Sequence, residues 1–145
     1  MKTHVRSRLG RLAPLLALVL AAGCADLGVE FTGDDVTGLT ISDGSGGTLV
    51  TVSSASSVSG SLSVARNAQR PLVIVLRGAN GGVVTPGVGQ SIRVTITNTQ
   101  VATWTDAGAG AGTLRGGSSA GTTSMRVDVI DSGSVEYTSP SITIN

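Results

Sequence analysis

SIRVTIT, residues 91–97, alternates small polar or charged side chains with β-branched aliphatic ones for seven residues without a slip. Successive side chains of an extended strand point to opposite faces, so Ile92, Val94 and Ile96 share one side and Arg93, Thr95 and Thr97 the other. One apolar and one polar face is what a sheet needs when it covers a core on one side only. The same period recurs at residues 39–41, 48–52, 61–64, 125–129 and 141–144. Residues 72–76 break it with five consecutive apolar side chains, and read as a central strand buried on both faces. DGSGG (43–47), NGG (80–82), PG (86–87) and DSG (131–133) supply residues that accept positive φ or pre-set a turn. No 3.6-residue repeat is sustained after residue 23. The pattern predicts an all-β fold, an antiparallel β-sandwich of about 7–9 short strands.

The N-terminal two dozen residues are of another kind. Lys2, Arg6, Arg8 and Arg11 form a positive n-region, residues 12–22 an apolar h-region, and Ala21, Ala22 and Gly23 a small-residue cleavage site. Eleven apolar residues interrupted by Pro14 are too few to span a bilayer permanently, which takes about 20. A cleaved signal helix over residues 1–23 is therefore expected. The stretch LVLAAGC, residues 18–24, ends on the only cysteine of the chain and resembles the lipobox of bacterial lipoproteins. That resemblance implies cleavage between Gly23 and Cys24 and acylation of the Cys24 thiol. It departs from the family at Ala21, where Leu, Val or Ile is usual, with Leu20 one place further out. Two or more acyl chains hold a protein stably at a membrane where one does not. The other reading is ordinary signal-peptidase cleavage near Gly23, leaving a soluble periplasmic protein. Asp directly after the lipidated cysteine marks inner-membrane retention in the lipoprotein family. Here that place is Ala25, which implies the outer membrane.

Loss of residues 1–23 changes the charge. What remains is 122 residues with six arginines, no lysine, no histidine and nine acidic groups, a net charge of −3. No basic patch is left to neutralise phosphates, and only Phe31, Trp104 and Tyr137 could stack on bases, so a nucleic-acid partner is not expected. The size is that of one domain. Residues 24–35 read as a lipidated tether, and residues 25–35 stretch to less than roughly 40 Å. Residues 36–56 read as a β-hairpin across DGSGG that extends one sheet.

The second half carries a further resemblance. NTQVATW (98–104), GTLRG (112–116) and AGTTSMRV (120–127), followed by alternating Ile142 and Ile144, resemble the bacterial Ig-like group 2 (BIG2-type) domain. Leu62-Ser63-Val64 and residues 72–76 stand where that family has its first two strands, with Asn67 replacing the usual intervening Gly. Trp104 replaces a core Val. The resemblance spans roughly residues 58–145, within a domain taken as 57–145, and implies an Ig-like sandwich of the kind found in envelope proteins and adhesins. It implies no catalytic residue.

Direct chemistry is sparse. Without His or Lys beyond residue 23, neither a Ser-His-Asp triad nor a Ser-Lys dyad can be assembled, so an enzyme is not expected. One cysteine and no histidine cannot make a zinc site, and no cofactor is expected. Asp34, Asp35 and Asp43 lie in or beside Gly-rich turns and are weak calcium candidates, lacking the D-x-D-x-D-G spacing. Asp128, with Arg126, reads as part of a solvated outer stripe, and residues 108–112 as a flexible glycine connection without the Gly-Lys-Ser of a phosphate loop. Trp104 and Tyr137 are the candidate ligand contacts, weighed against burial of Trp104 at a core position. The expectation is a non-catalytic, lipid-anchored envelope module that meets a protein partner. The alternative is a small carbohydrate- or ligand-binding protein using the loops at one end of the sandwich.

Overall fold

The computed structural model describes residues 36–145. Gly23, Cys24, Asp34 and Asp35, with the expected signal and tether, lie outside the described residues. Eleven strands follow in order: β1 (Val36–Asp43), β2 (Thr48–Ser54), β3 (Ser57–Gly60), β4 (Gln69–Gly78), β5 (Val83–Val84), β6 (Gln90–Ile96), β7 (Ala102–Gly108), β8 (Ala111–Gly116), β9 (Thr123–Asp131), β10 (Ser134–Thr138) and β11 (Ile142–Ile144). The count exceeds the expected 7–9 because β3 and β5 are short additions. The final strand is also divided, with Pro140, which has no N–H to give a ladder, standing between β10 and β11.

Two antiparallel sheets form the sandwich. The larger runs β3-β2-β1-β4-β8-β7, with β5 also on β4. In the smaller, β9 pairs with β6 along one side and with β10 and then β11 along the other. The set β4-β8-β7 over β6-β9-β10/β11 has the connectivity B-E-D over C-F-G of an immunoglobulin constant-type domain. The β1–β2 hairpin forms across DGSGG as expected, with Leu39 opposite Val52 and Ile41 opposite Val50. It does extend one sheet, and β1 pairs with β4 over nearly its whole length, from Val36–Gly78 to Asp43–Leu72.

Residues 61–64 do not become a regular strand. Leu62 and Val64 donate their N–H groups to the carbonyls of Thr143 and Asn145, parallel to β11, and Asn67 then donates to Gly116 in the other sheet. The segment thus crosses between the layers. Asn67 makes the bend with φ of 58°, a left-handed conformation that Asn tolerates better than most residues with a Cβ. Residues 108–112 are also more ordered than a flexible connection. Ala109 and Gly110, at φ 50° and 79°, turn β7 directly into β8, in the manner of a two-residue hairpin.

Leu39, Ile41, Val50 and Val52 of the hairpin lie in one core cluster with Leu62, Leu72, Leu76, Leu114, Met125, Val127, Val129, Ile142 and Ile144. Each is essentially inaccessible, and burial of such a side chain stabilises by about 1.5–3 kcal/mol. Residues 72–76 form part of the central strand β4, but the expectation of burial on both faces is corrected. Leu72, Ile74 and Leu76 face the core, whereas Val73 is 38% exposed. A two-layer sandwich leaves every strand one outer face, and β-branched Val serves there for its fit to the pleated surface. Ile41→Ala should cost about 2–5 kcal/mol, seen in urea unfolding as a single transition at a lower midpoint. Separate melting of the hairpin would show instead that it is an appendage.

Candidate functional site

The alternation of β6 and β9 places Arg93 directly opposite Asp128, and β10 brings Thr138 opposite Asp128 from the other side. Arg93 donates from Nε and Nη2 to Asp128 Oδ2, at 3.2 and 2.9 Å, and Thr138 Oγ1 donates to Oδ1 at 2.9 Å. Arg126 Nε lies 3.4 Å from the same Oδ1. The solvated stripe is therefore corrected: Asp128 is on the outer face, but its side chain is 1% exposed because three neighbours roof it. Burial raises its pKa, but hydrogen bonds from Arg93 and Thr138 and the charges of Arg126 and Arg93 outweigh it, leaving the carboxyl below its usual value. This cluster ties three strands together. Both carboxylate oxygens of Asp128 are engaged by these neighbours.

The two candidate aromatics are not brought together into a binding face. Tyr137 is 9% exposed and belongs to the core, because β10 turns this position inward, opposite Val129. Burial pushes its hydroxyl pKa up, and among the described residues that hydroxyl has no hydrogen-bond partner. Trp104 is half-buried against the core, over β8. Its ring fills the space above Gly112, where any Cβ would overlap it. The Gly in GTLRG thus makes room for the one large ring of the sheet.

Asp43 serves its own turn. Its Oδ1 accepts from the N–H groups of Ser45 and Gly47, at 3.0 and 2.9 Å, and from the Ser45 hydroxyl at 2.7 Å. The Ser45 hydroxyl and the Gly47 amide are the main causes that hold its carboxyl below the usual range. Among the described residues no three His, Cys, Asp or Glu side chains converge. A cavity of about 280 Å³ opens between Val64, Arg66, Val101, Gly121 and Ile144, and Trp104 does not line it. Arg66, the charged side chain in its lining, already donates to the Ser118 carbonyl.

The sheet edges are the remaining feature with recognition chemistry. β3 is four residues long and ends at Gly60 with φ of 90°, and β7 carries a register shift between Asp106 and Gly108. β6 is different. It pairs with β9 for seven residues without a shift, and among the described residues no strand lies on its other side. Sequence patterning identified β6 as a strand, but its position at an edge follows only from the topology. The Arg93–Asp128 contact was likewise missed, although an antiparallel alignment of residues 90–96 with 125–131 would have placed the two opposite each other.

Comparison with protein-family models, with curated proteins and with solved structures finds no match.

Two expectations follow. Asp128→Asn should lower stability by about 1–3 kcal/mol, since Arg93 remains half in water when its partner charge is removed. Because the folded pKa of Asp128 is depressed, its contribution is present above the unfolded value of about 3.9 and fades as pH falls through the lower folded value. Thermal unfolding between pH 6 and 2 should show a weaker acid dependence in the variant. An unchanged profile would remove Asp128 from this role. Tyr137→Phe should be neutral or stabilising by about 1 kcal/mol, because it deletes a buried hydroxyl without a partner. A clear loss in chemical denaturation would mean that the hydroxyl is satisfied in solution.

Proposed function

We propose that the chain is a non-catalytic, lipid-anchored module of the bacterial cell envelope, of the Ig-like group 2 type, that works through protein contact at a sheet edge. The observation that carries this reading is the unbroken edge of β6, on which no strand lies among the described residues. An exposed edge offers N–H and C=O groups at a regular spacing, and an extended partner adds to it as one more strand. A glycan site would call for aromatic rings displayed beside a cleft, and the half-buried Trp104 and core-facing Tyr137 do not supply a row of them. The anchor is read from the sequence, where Cys24 follows the small residues of a cleavage site. Acylation there would hold the domain within a short tether of the outer membrane, and the acidic balance of residues 24–145 suits a protein partner better than a nucleic acid.

Cys24→Ala, expressed as the full chain, should move the protein from the membrane to the soluble periplasmic fraction. A variant as firmly membrane-bound as the wild type would sink the anchor. Crosslinking in intact cells, read by mass spectrometry, should recover a protein crosslinked through residues 90–96. Recovery of none, with binding on a glycan array, would reverse the preference for protein contact.

A further inference from the structure

The hydrogen bonds at the two ends of β6 define which of its groups are free. Ser132 donates to the Gly89 carbonyl, and Thr97 donates to the Ser124 carbonyl. In an antiparallel ladder, bonded and non-bonded pairs alternate, so residues 89, 91, 93, 95 and 97 face β9 with their backbone groups. The even residues face away. Gln90 uses its N–H on the Gly87 carbonyl, while the N–H and C=O groups of Ile92, Val94 and Ile96 have no partner among the described residues. Their side chains are also incompletely covered, each half-buried against the core.

Natural sheets protect such edges with lysine, proline, bulges or short strands. β6 has none of the four. Its single charge, Arg93, is neutralised by Asp128 at 2.9 Å. The edge is also self-complementary. SIRVTIT reads nearly the same in both directions about Val94, with Ile92 matching Ile96, Ser91 matching Thr97, and Arg93 matching Thr95.

We propose that β6 pairs antiparallel with β6 of a second copy of this chain, about a two-fold axis through Val94, joining the two four-stranded sheets edge to edge. In that register Val94 meets Val94 of the partner subunit, and Ile92 meets Ile96 of the partner subunit. The free N–H and C=O groups of these residues then bond to one another. Arg93 stands opposite Thr95 of the partner subunit. A shift one way puts Arg93 opposite Arg93 of the partner subunit, and like charges directly opposite are disfavoured. A shift the other way sets Ile92 against Asn98 of the partner subunit and leaves an apolar face unmatched. Registers displaced by one residue set the apolar face of one copy against the polar face of the other. The inference deepens the reading above and rests on it only for the premise that contact is made at a sheet edge.

The test uses the full chain. Val94→Cys should form a disulfide-linked dimer on mild oxidation, because the Cα atoms of a bonded antiparallel pair lie about 5.5 Å apart, within the range a disulfide spans. Wild type, whose one thiol is Cys24, and Val88→Cys, at a fully exposed position, are the controls and should form no disulfide-linked dimer. Crosslinking of Val94→Cys no greater than that of Val88→Cys overturns the proposal. A second pair of variants leaves the inner face untouched. Thr95→Glu places a carboxylate opposite Arg93 of the partner subunit and Thr95→Lys an ammonium, so dimer dissociation constants from sedimentation should differ by about tenfold, Glu being the tighter. Equal constants, or wild type monomeric throughout, also overturn it. A monomer that still crosslinks to another protein through residues 90–96 in cells would leave the edge-contact function standing. A dimer from a chain that fails to reach the membrane would remove the anchor and leave this pairing.

Discussion

Everything in this domain depends on burial of two apolar sheet faces against each other. With one cysteine in the chain, no intramolecular disulfide can hold the layers together, and the described residues include no helix that could cover a face. Side chains from both sheets therefore meet in a single cluster, and the β1–β2 hairpin contributes to it as fully as the strands of the immunoglobulin-like set. Position explains this. β1 fills the place beside β4 where the first strand of an Ig domain would lie, so Leu39 and Ile41 stand opposite Leu76 and Ile74, which are far away in sequence.

The outer faces follow a different logic. Asp128 is buried on a side of β9 that has no second layer over it, because Arg93, Arg126 and Thr138 cover it from the flanking strands and its own. A buried carboxylate is costly unless it is paired and hydrogen-bonded, and here both oxygens are used. The same contact ties down the only charge on β6. One ion pair thus joins the strands and neutralises that charge, and the β6 edge, unpaired among the described residues, is left with a neutral, evenly spaced row of backbone groups.

Legibility in the sequence varied with how local the signal was. Strict alternation marked β2, β6, β9 and β11 close to their observed bounds, and DGSGG and DSG turned where expected, since Asp43 Oδ1 satisfies the turn amides and Ser132 and Gly133 accept positive φ. β4 was recognised as a central strand, but its five apolar residues could not show that Val73 faces water. Residues 61–64 alternate like a strand and instead cross between sheets, guided by Asn67 and by bonds to β11 that no local pattern encodes. For the candidate site, Trp104 and Tyr137 stood out by their chemistry. Their depth was set by strand register, which put Tyr137 inside and Trp104 over Gly112.

By itself, then, the amino-acid order determined an all-β chain with one apolar face per strand, the places where it turns, and its poverty in reactive side chains. Period and residue chemistry are local, and they survive without knowledge of neighbours. Only the tertiary structure decided that β1 sits inside the sheet, that Asp128 is roofed, and that β6 is an edge. Each of these depends on which strand lies beside which, and strand adjacency is set by non-local pairing across the folded chain.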